Sequence, residues 1–244
     1  MTIKVGTFNI LHGRNYLRYL QTQEECIDLG LFSDAIREMG LEICGLNEVR
    51  NQENVEGLCN QAKVIGEALG YQWLFARAID NRGGHYGNAL VTKYPILNSR
   101  AVPMAVPARE RLEDVRYEDR VLLIADLQVG DRVLTVFVTH FGLAADEIAY
   151  DVETVKREVA ACRNPLIFMG DLNFTPDHPA YAALCDFLRD SANAAEGSVL
   201  TFPSTDPDRK IDYLFTAGDC AVTGAYVPER VVSDHRPFAA EIQL

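Results

Sequence analysis

The run Leu166-Ile-Phe-Met169, bounded by Pro165 and Gly170, constrains this chain more than any other segment. Four consecutive buried-type residues read as a core strand. The strand runs into Gly170, and Asp171 and Asn173 follow two apart. Alternation places side chains two apart on the same side of a strand. An anion and a neutral hydrogen-bonding group therefore point together from a strand end. That pair suits a site that activates water while holding a phosphate oxygen, and an Asx-turn is the purely structural alternative. The same design recurs along the chain.

The other segments say what surrounds this strand. Further strands are predicted at 3–9, 42–47, 72–78, 87–92, 96–104, 120–129, 132–139, 211–216, 220–227 and 237–243, with Gly130-Asp131 as a hairpin turn. Leu58, Ala62, Ile65 and Leu69, ended by Gly70, predict a helix with one buried stripe. Ile148, Val152, Val155 and Val159 predict another, and a third runs from near Ser33 to Gly40. Strand–helix–strand units thus flank a block of consecutive strands. The mixture argues for two packed sheets with helices outside, not a purely alternating parallel sheet. Segments 105–118 and 191–210 lack patterning and read as long loops, which at strand ends choose substrates.

With 244 residues, 48% of them hydrophobic, the chain is long enough for one large domain over 1–244. No apolar run of about 18 residues predicts a membrane span, and no leader pattern is visible, so a cytoplasmic location is expected. The six cysteines are scattered without metal-finger spacing and read as reduced, mostly buried thiols. A net charge of −12 without a basic cluster argues against a protein that grips long nucleic acid. It leaves phosphate esters open, because a divalent cation supplies positive charge locally.

Polar residues gather where apolar runs stop. Asn9 follows Val5–Phe8, Glu48 follows Ile43–Asn47, and His140 follows Val133–Thr139. Asp212 opens Tyr213–Phe215, and Asp234-His235 precedes Pro237–Ile242. Singly, each has a structural alternative: a turn cap for Asn9, a surface carboxylate for Glu48, a core imidazole for His140, a turn for Asp234. Together they track strand ends, where a sheet collects side chains at one edge. The chemistry they support is metal-assisted hydrolysis of a phosphate ester. A hard divalent cation takes carboxylate and amide oxygens, with Glu48 the central ligand and Asn9 and Asp234 near it. The five dispersed histidines do not form a zinc set. His235 could contact phosphate or take a proton, with Asp212 the candidate holder of its other nitrogen.

At these residues the chain resembles the endonuclease/exonuclease/phosphatase superfamily. The resemblance spans about residues 3–243. It runs through Thr7-Phe-Asn9-Ile, Gly45-Leu-Asn-Glu48-Val, Tyr86-Gly-Asn-Ala-Leu-Val-Thr-Lys-Tyr-Pro-Ile96, Arg120 and Thr139-His-Phe141. It continues through Gly170-Asp-Leu-Asn173, Thr201-Phe-Pro-Ser204, Ile211-Asp-Tyr213 and Ser233-Asp-His-Arg-Pro237. The resemblance implies an α/β fold, a four-layer α/β/β/α sandwich of two packed mixed sheets with helices outside. It implies that Glu48, Asn9 and Asp234 bind Mg²⁺ or Mn²⁺, that Asp171 orients or deprotonates water, and that Asn173 holds phosphate. His235 with Asp212 would act as base or stabilise the pentacovalent phosphorus, and His140 resembles the second histidine of the deoxyribonuclease and sphingomyelinase branches. Asn88 and Arg120 would add donors to phosphate oxygens.

The chain departs from the pattern in two places. His12 stands where apurinic endonucleases carry an acidic residue, and segment 14–32 lengthens the first connection. Abasic DNA is therefore a poor fit. The expected activity is a Mg²⁺/Mn²⁺-dependent phosphodiesterase or phosphatase acting on a small soluble ester or a nucleic acid end. The alternatives are a nuclease on DNA or RNA, or a non-catalytic binding module. No membrane insertion and no protein partner are indicated.

Overall fold

Two parallel strand pairs organise the molecule, one in each sheet. In the computed structural model, which describes residues 1–244, β1 (Thr2–Asn9) lies parallel to β2 (Ile43–Asn51). In the second sheet β7 (Arg132–His140) lies parallel to β8 (Leu166–Asp171). A parallel neighbour requires a crossover, usually a helix. Helix α2 (Leu29–Met39) lies in the first crossover and α4 (Ala145–Ala161) in the second. Parallel strands end at the same edge. Asn9 therefore stands beside Asn47, and His140 beside Asp171.

Antiparallel strands complete both sheets. The first adds β3 (Gln72–Asn81), β4 (Gly84–Thr92), β11 (Ala221–Tyr226) and β12 (Phe238–Gln243), in the order β11-β12-β1-β2-β4-β3. The second adds β5 (Ile96–Met104), β6 (Arg120–Val129), β9 (Arg189–Asp190) and β10 (Asp212–Ala217), in the order β5-β6-β7-β8-β10-β9. Alternation divides each strand between two cores. Val136, Val138, Ile167 and Met169 meet Val5, Ile43 and Leu90 between the sheets. Phe137, Leu166 and Phe168 face the other way, toward Ile148, Val152 and Val155 of α4 and Leu184 of α5 (Pro179–Cys185). On the far side, α2 and α3 (Gln61–Leu69) bury Phe32, Ile36 and Ile65 against Phe8 and Leu46. The architecture is the four-layer sandwich that the sequence predicts. No helix is long and apolar enough to cross a membrane.

Several elements differ from the sequence expectation. Leu58 lies outside α3 and is 49% exposed, because the Asn60 side chain accepts the Lys63 N–H and fixes the helix start at Gln61, three residues later. Helix α1 (Tyr16–Thr22) was not predicted: it buries no residue and so has no apolar stripe to read. It stands, with the start of α2, in the segment that lengthens the first connection. The two-residue strand β9 and helix α5 are too short to give a period. All six cysteines are free thiols, but only Cys44 and Cys220 are buried.

Candidate active site

Register alone builds one wall of the site. His140 of β7 pairs with Asp171 of β8, and Asp171 pairs with Asp212 of β10, so three titratable residues stand in one row across the second sheet. Past the row, Asn173 has φ 56°, outside any strand. The Asp171 carboxylate accepts the Asn173 N–H at 3.0 Å. This Asx-turn, not strand alternation, brings the two side chains together. The Asn173 amide donates to Phe141 O at 2.9 Å and faces His140 Nε2 at 3.0 Å. His235, from the loop before β12, hydrogen-bonds Asp212 Oδ2 through Nδ1 at 2.8 Å. Its Nε2 lies 3.6 Å from Asp171 Oδ2. Phe202 packs on the imidazole, with ring centroids 4.8 Å apart.

The opposite wall rests on a break in regularity. The pairing of β2 with β4 shifts register between Leu46 and Val49, and Glu48 within that bulge has φ 59°. A bulge re-aims a side chain, and here it turns Glu48 into the cleft. Asn9 joins the walls: its Nδ2 donates to Glu48 Oε1 at 3.1 Å and to Asp171 Oδ2 at 3.0 Å. His12, in the left-handed region with φ 47°, places Nδ1 3.9 Å from Glu48 Oε2. Ser233 Oγ donates to Asp234 Oδ1 at 3.0 Å.

Burial and charge set the protonation of these groups. Burial lifts the Asp171 carboxyl to about 7, reinforced by Asp212 and resisted by His235 and the Asn9 amide. Burial disfavours charge on His235, but Asp212 and Asp171 outweigh it and raise the imidazole to about 10. Burial and the Arg120 guanidinium push His140 down to about 3, so it is neutral. Burial also pushes Glu48 upward, yet His12, the other histidines and Asn9 reverse that and hold it below the ordinary carboxylate range. Asp234 is raised, by burial first and by Glu48 second among the raising causes.

A cleft of about 830 Å³ lies over both walls. Its lining holds the carboxylates of Glu48, Glu118, Asp171, Asp177 and Asp234 against the guanidiniums of Arg120 and Arg209. An excess of hard oxygen donors fits a Mg²⁺- or Mn²⁺-like cation. Asp171, Asp212 and His235 also place ligand atoms within 4.8 Å of one another. A cation among those three would compete with the 2.8 Å Asp212–His235 hydrogen bond. Glu48 and Asp234, which also line the cleft, are free of that competition and could hold a cation.

Two of the expected site residues are held by the protein's own hydrogen bonds. Asn9 turns its oxygen to the Leu11 N–H, at 3.1 Å, and its NH₂ to the carboxylates. In this arrangement it orders Glu48 and Asp171. Asn88 is 2% exposed; it donates to Val121 O and accepts from Asn47, so it joins the sheets beneath the cleft and does not face a phosphate. Arg120 lines the cleft but donates to Glu118 Oε1 at 2.6 Å. Sequence reasoning missed Asn47, Tyr86 and Glu118. Tyr86 stands beside Glu48, and burial followed by that charge keeps its phenol protonated.

Comparison with known proteins bears on the family and the fold. A model of the Endonuclease/Exonuclease/phosphatase family matches residues 6–235. Protein cwh43 of Schizosaccharomyces pombe is 23% identical over 203 residues, which take in 82% of this chain but only 19% of that protein. The uncharacterized protein YbhP of Escherichia coli is 24% identical over 229 residues, covering 86% of this chain and 87% of YbhP. A mannosyl-6-phosphatase of Bacteroides thetaiotaomicron has the same fold, with TM-score 0.78 and 18% identity over 99% of this chain and 100% of its own.

Proposed function

The chain belongs to the Endonuclease/Exonuclease/phosphatase family, and from that premise we propose that it is a Mg²⁺- or Mn²⁺-dependent hydrolase of small phosphate esters, chiefly a phosphodiesterase. The observation that carries this reading is the His140–Asp171–Asp212 row, with His235 locked on Asp212 and Glu48 facing it. A cation held by Glu48 and Asp234 would supply Lewis-acid charge to the phosphate oxygens. Asp171, raised toward neutrality, takes the proton of the attacking water at Oδ2. His235 remains a cation and stabilises negative charge on the pentacovalent phosphorus. Arg120 would donate to nonbridging oxygens, and Asn173 would join it by turning its Nδ2 from neutral His140 Nε2 to the phosphate. The carboxylate excess of the cleft disfavours a long polyanion. The likeness to a mannosyl-6-phosphatase supports a substrate of sugar size.

The test is hydrolysis of bis(p-nitrophenyl) phosphate beside p-nitrophenyl phosphate, with Mg²⁺, Mn²⁺ or chelator. Metal-dependent diester turnover is expected. Monoester preference would redirect the reading to a phosphatase. Turnover of single-stranded DNA or RNA alone, steeply weakened by salt, would replace it with a nuclease. Equal rates with metal and with chelator would remove the cation from the mechanism.

A further inference from the structure

Asn47 precedes Glu48 in β2 and is fully buried. Its side chain leaves the first sheet and enters the second. Nδ2 donates to Thr139 O at 2.7 Å and to Asn88 Oδ1 at 2.9 Å, while Oδ1 accepts the Asp171 N–H at 3.0 Å. Thr139 and Asp171 lie on parallel neighbours whose register pairs Thr139 with Gly170 and His140 with Asp171. In a regular parallel ladder of that register the Asp171 N–H and the Thr139 carbonyl are the two ends of one rung. The Asn47 carboxamide meets both ends, its Nδ2 donating to the carbonyl and its Oδ1 accepting from the N–H.

The local backbone is built for this approach. Gly170 has φ 151°, and a Cβ there would fall 1.8 Å from Thr139 O. Only glycine tolerates that geometry. Asn88 extends the bridge by donating to Val121 O at 2.9 Å, so one side-chain chain ties β2 and β4 to β6, β7 and β8. Every polar atom of the Asn47 side chain is engaged, and none of it lines the cleft.

We infer that Asn47 is a positioning residue for the reaction: it pins the C-terminal ends of β7 and β8 so that Asp171 stands where water is activated. The inference rests on the proposed role of Asp171. Asn47→Ala should lower kcat about 100-fold, the scale of a displacement near 1 Å at a reacting group, with KM changed less than about threefold. The coupling to Asp171 separates positioning from general support of the fold. In an Asp171→Asn background the same substitution should cost less than about threefold, because the group it positions is already gone. A 100-fold loss in both backgrounds would overturn the inference. If Asn47→Ala does not fold, Asn47→Asp carries the same comparison. It keeps the acceptor for Asp171 N–H but sets an oxygen against Thr139 O and Asn88 Oδ1. Amide hydrogen exchange gives a readout that needs no turnover, so failure of the functional reading stays distinguishable. The Asp171 amide should exchange about 100-fold faster in the variant while the Phe168 amide is unchanged; equal protection of Asp171 would also overturn it.

Discussion

The two sheets build their halves of the site by opposite means. The second sheet uses regularity: His140, Asp171 and Asp212 are neighbours because three strands are in register. The first sheet uses an exception: Glu48 reaches the cleft because β2 bulges and one residue takes a left-handed φ. A row fixed by many ladder bonds is rigid, which suits groups that must meet a reacting atom within a narrow tolerance. A bulge re-aims a single carboxylate into the cleft, which suits a Mg²⁺-like cation that is held through one or two carboxylates and keeps several waters. On the proposed reading, proton transfer and charge stabilisation fall to the second sheet and cation holding to the first.

The sharpest way to break this division is to compare kcat with metal dependence across substitutions. Asp171→Asn should lower kcat by about 10³-fold or more at saturating Mg²⁺ while the half-saturating Mg²⁺ concentration stays within a few-fold. Near-normal turnover would remove Asp171 as the water activator. Asp212→Asn should cost about 10²-fold, because His235 loses the carboxylate hydrogen-bonded to its Nδ1. A loss equal to that of Asp171→Asn would mean that the two act as one unit. Glu48→Gln should do something different in kind, raising the half-saturating Mg²⁺ concentration by about tenfold or more. A variant titrated by Mg²⁺ in the same way as the parent would end the assignment of cation holding to the first sheet.

The two halves were also unequally legible in the sequence. Asp171 could be found because a short apolar run points straight at it, and a strand end is a local signal. Asn173 was placed beside it for an incorrect reason: the expected alternation requires strand geometry, and the chain makes an Asx-turn. Glu48 was found only through its position after Ile43–Asn47, since nothing local announces a bulge. Asn47 was invisible as a bridge because its partners lie 92 and 124 residues away. A buried asparagine at a strand end reads the same whether it caps a turn or joins two sheets. The bridging bonds of Asn88 were invisible for that reason as well, whereas the layers were legible because strand and helix periods are local.

The smallest expected effect concerns stability, and it separates the halves again. Asp151 of α4 lies 2% exposed behind the second-sheet row and accepts the Gly142 N–H at 2.9 Å. Burial raises its carboxyl from 3.8 to about 7, against the pull of that hydrogen bond and of Arg120. A raised carboxyl keeps its proton in the folded chain where the unfolded chain has released it. Its contribution is therefore complete below pH 3.8 and lost as pH rises through about 7. The slope is at most about 1.4 kcal/mol per pH unit, and a chain of this size moves by roughly 2–4 °C per kcal/mol. Asp151→Asn keeps an oxygen for Gly142 and cannot titrate. In metal-free buffer, its melting temperature relative to the parent should therefore rise by several degrees between pH 5 and pH 8. Glu48 has the opposite sign: held below its ordinary 4.5, it contributes stability above that value and loses it only as pH falls further. Glu48→Gln should therefore change the pH 5 to 8 slope of the parent far less than Asp151→Asn does, and only through Asp234, which loses the charge that helps to raise it. If instead it flattened that slope as Asp151→Asn does, Glu48 would be titrating near neutrality. A carboxylate that waits ionised for a cation would then be the wrong description of the first sheet's half.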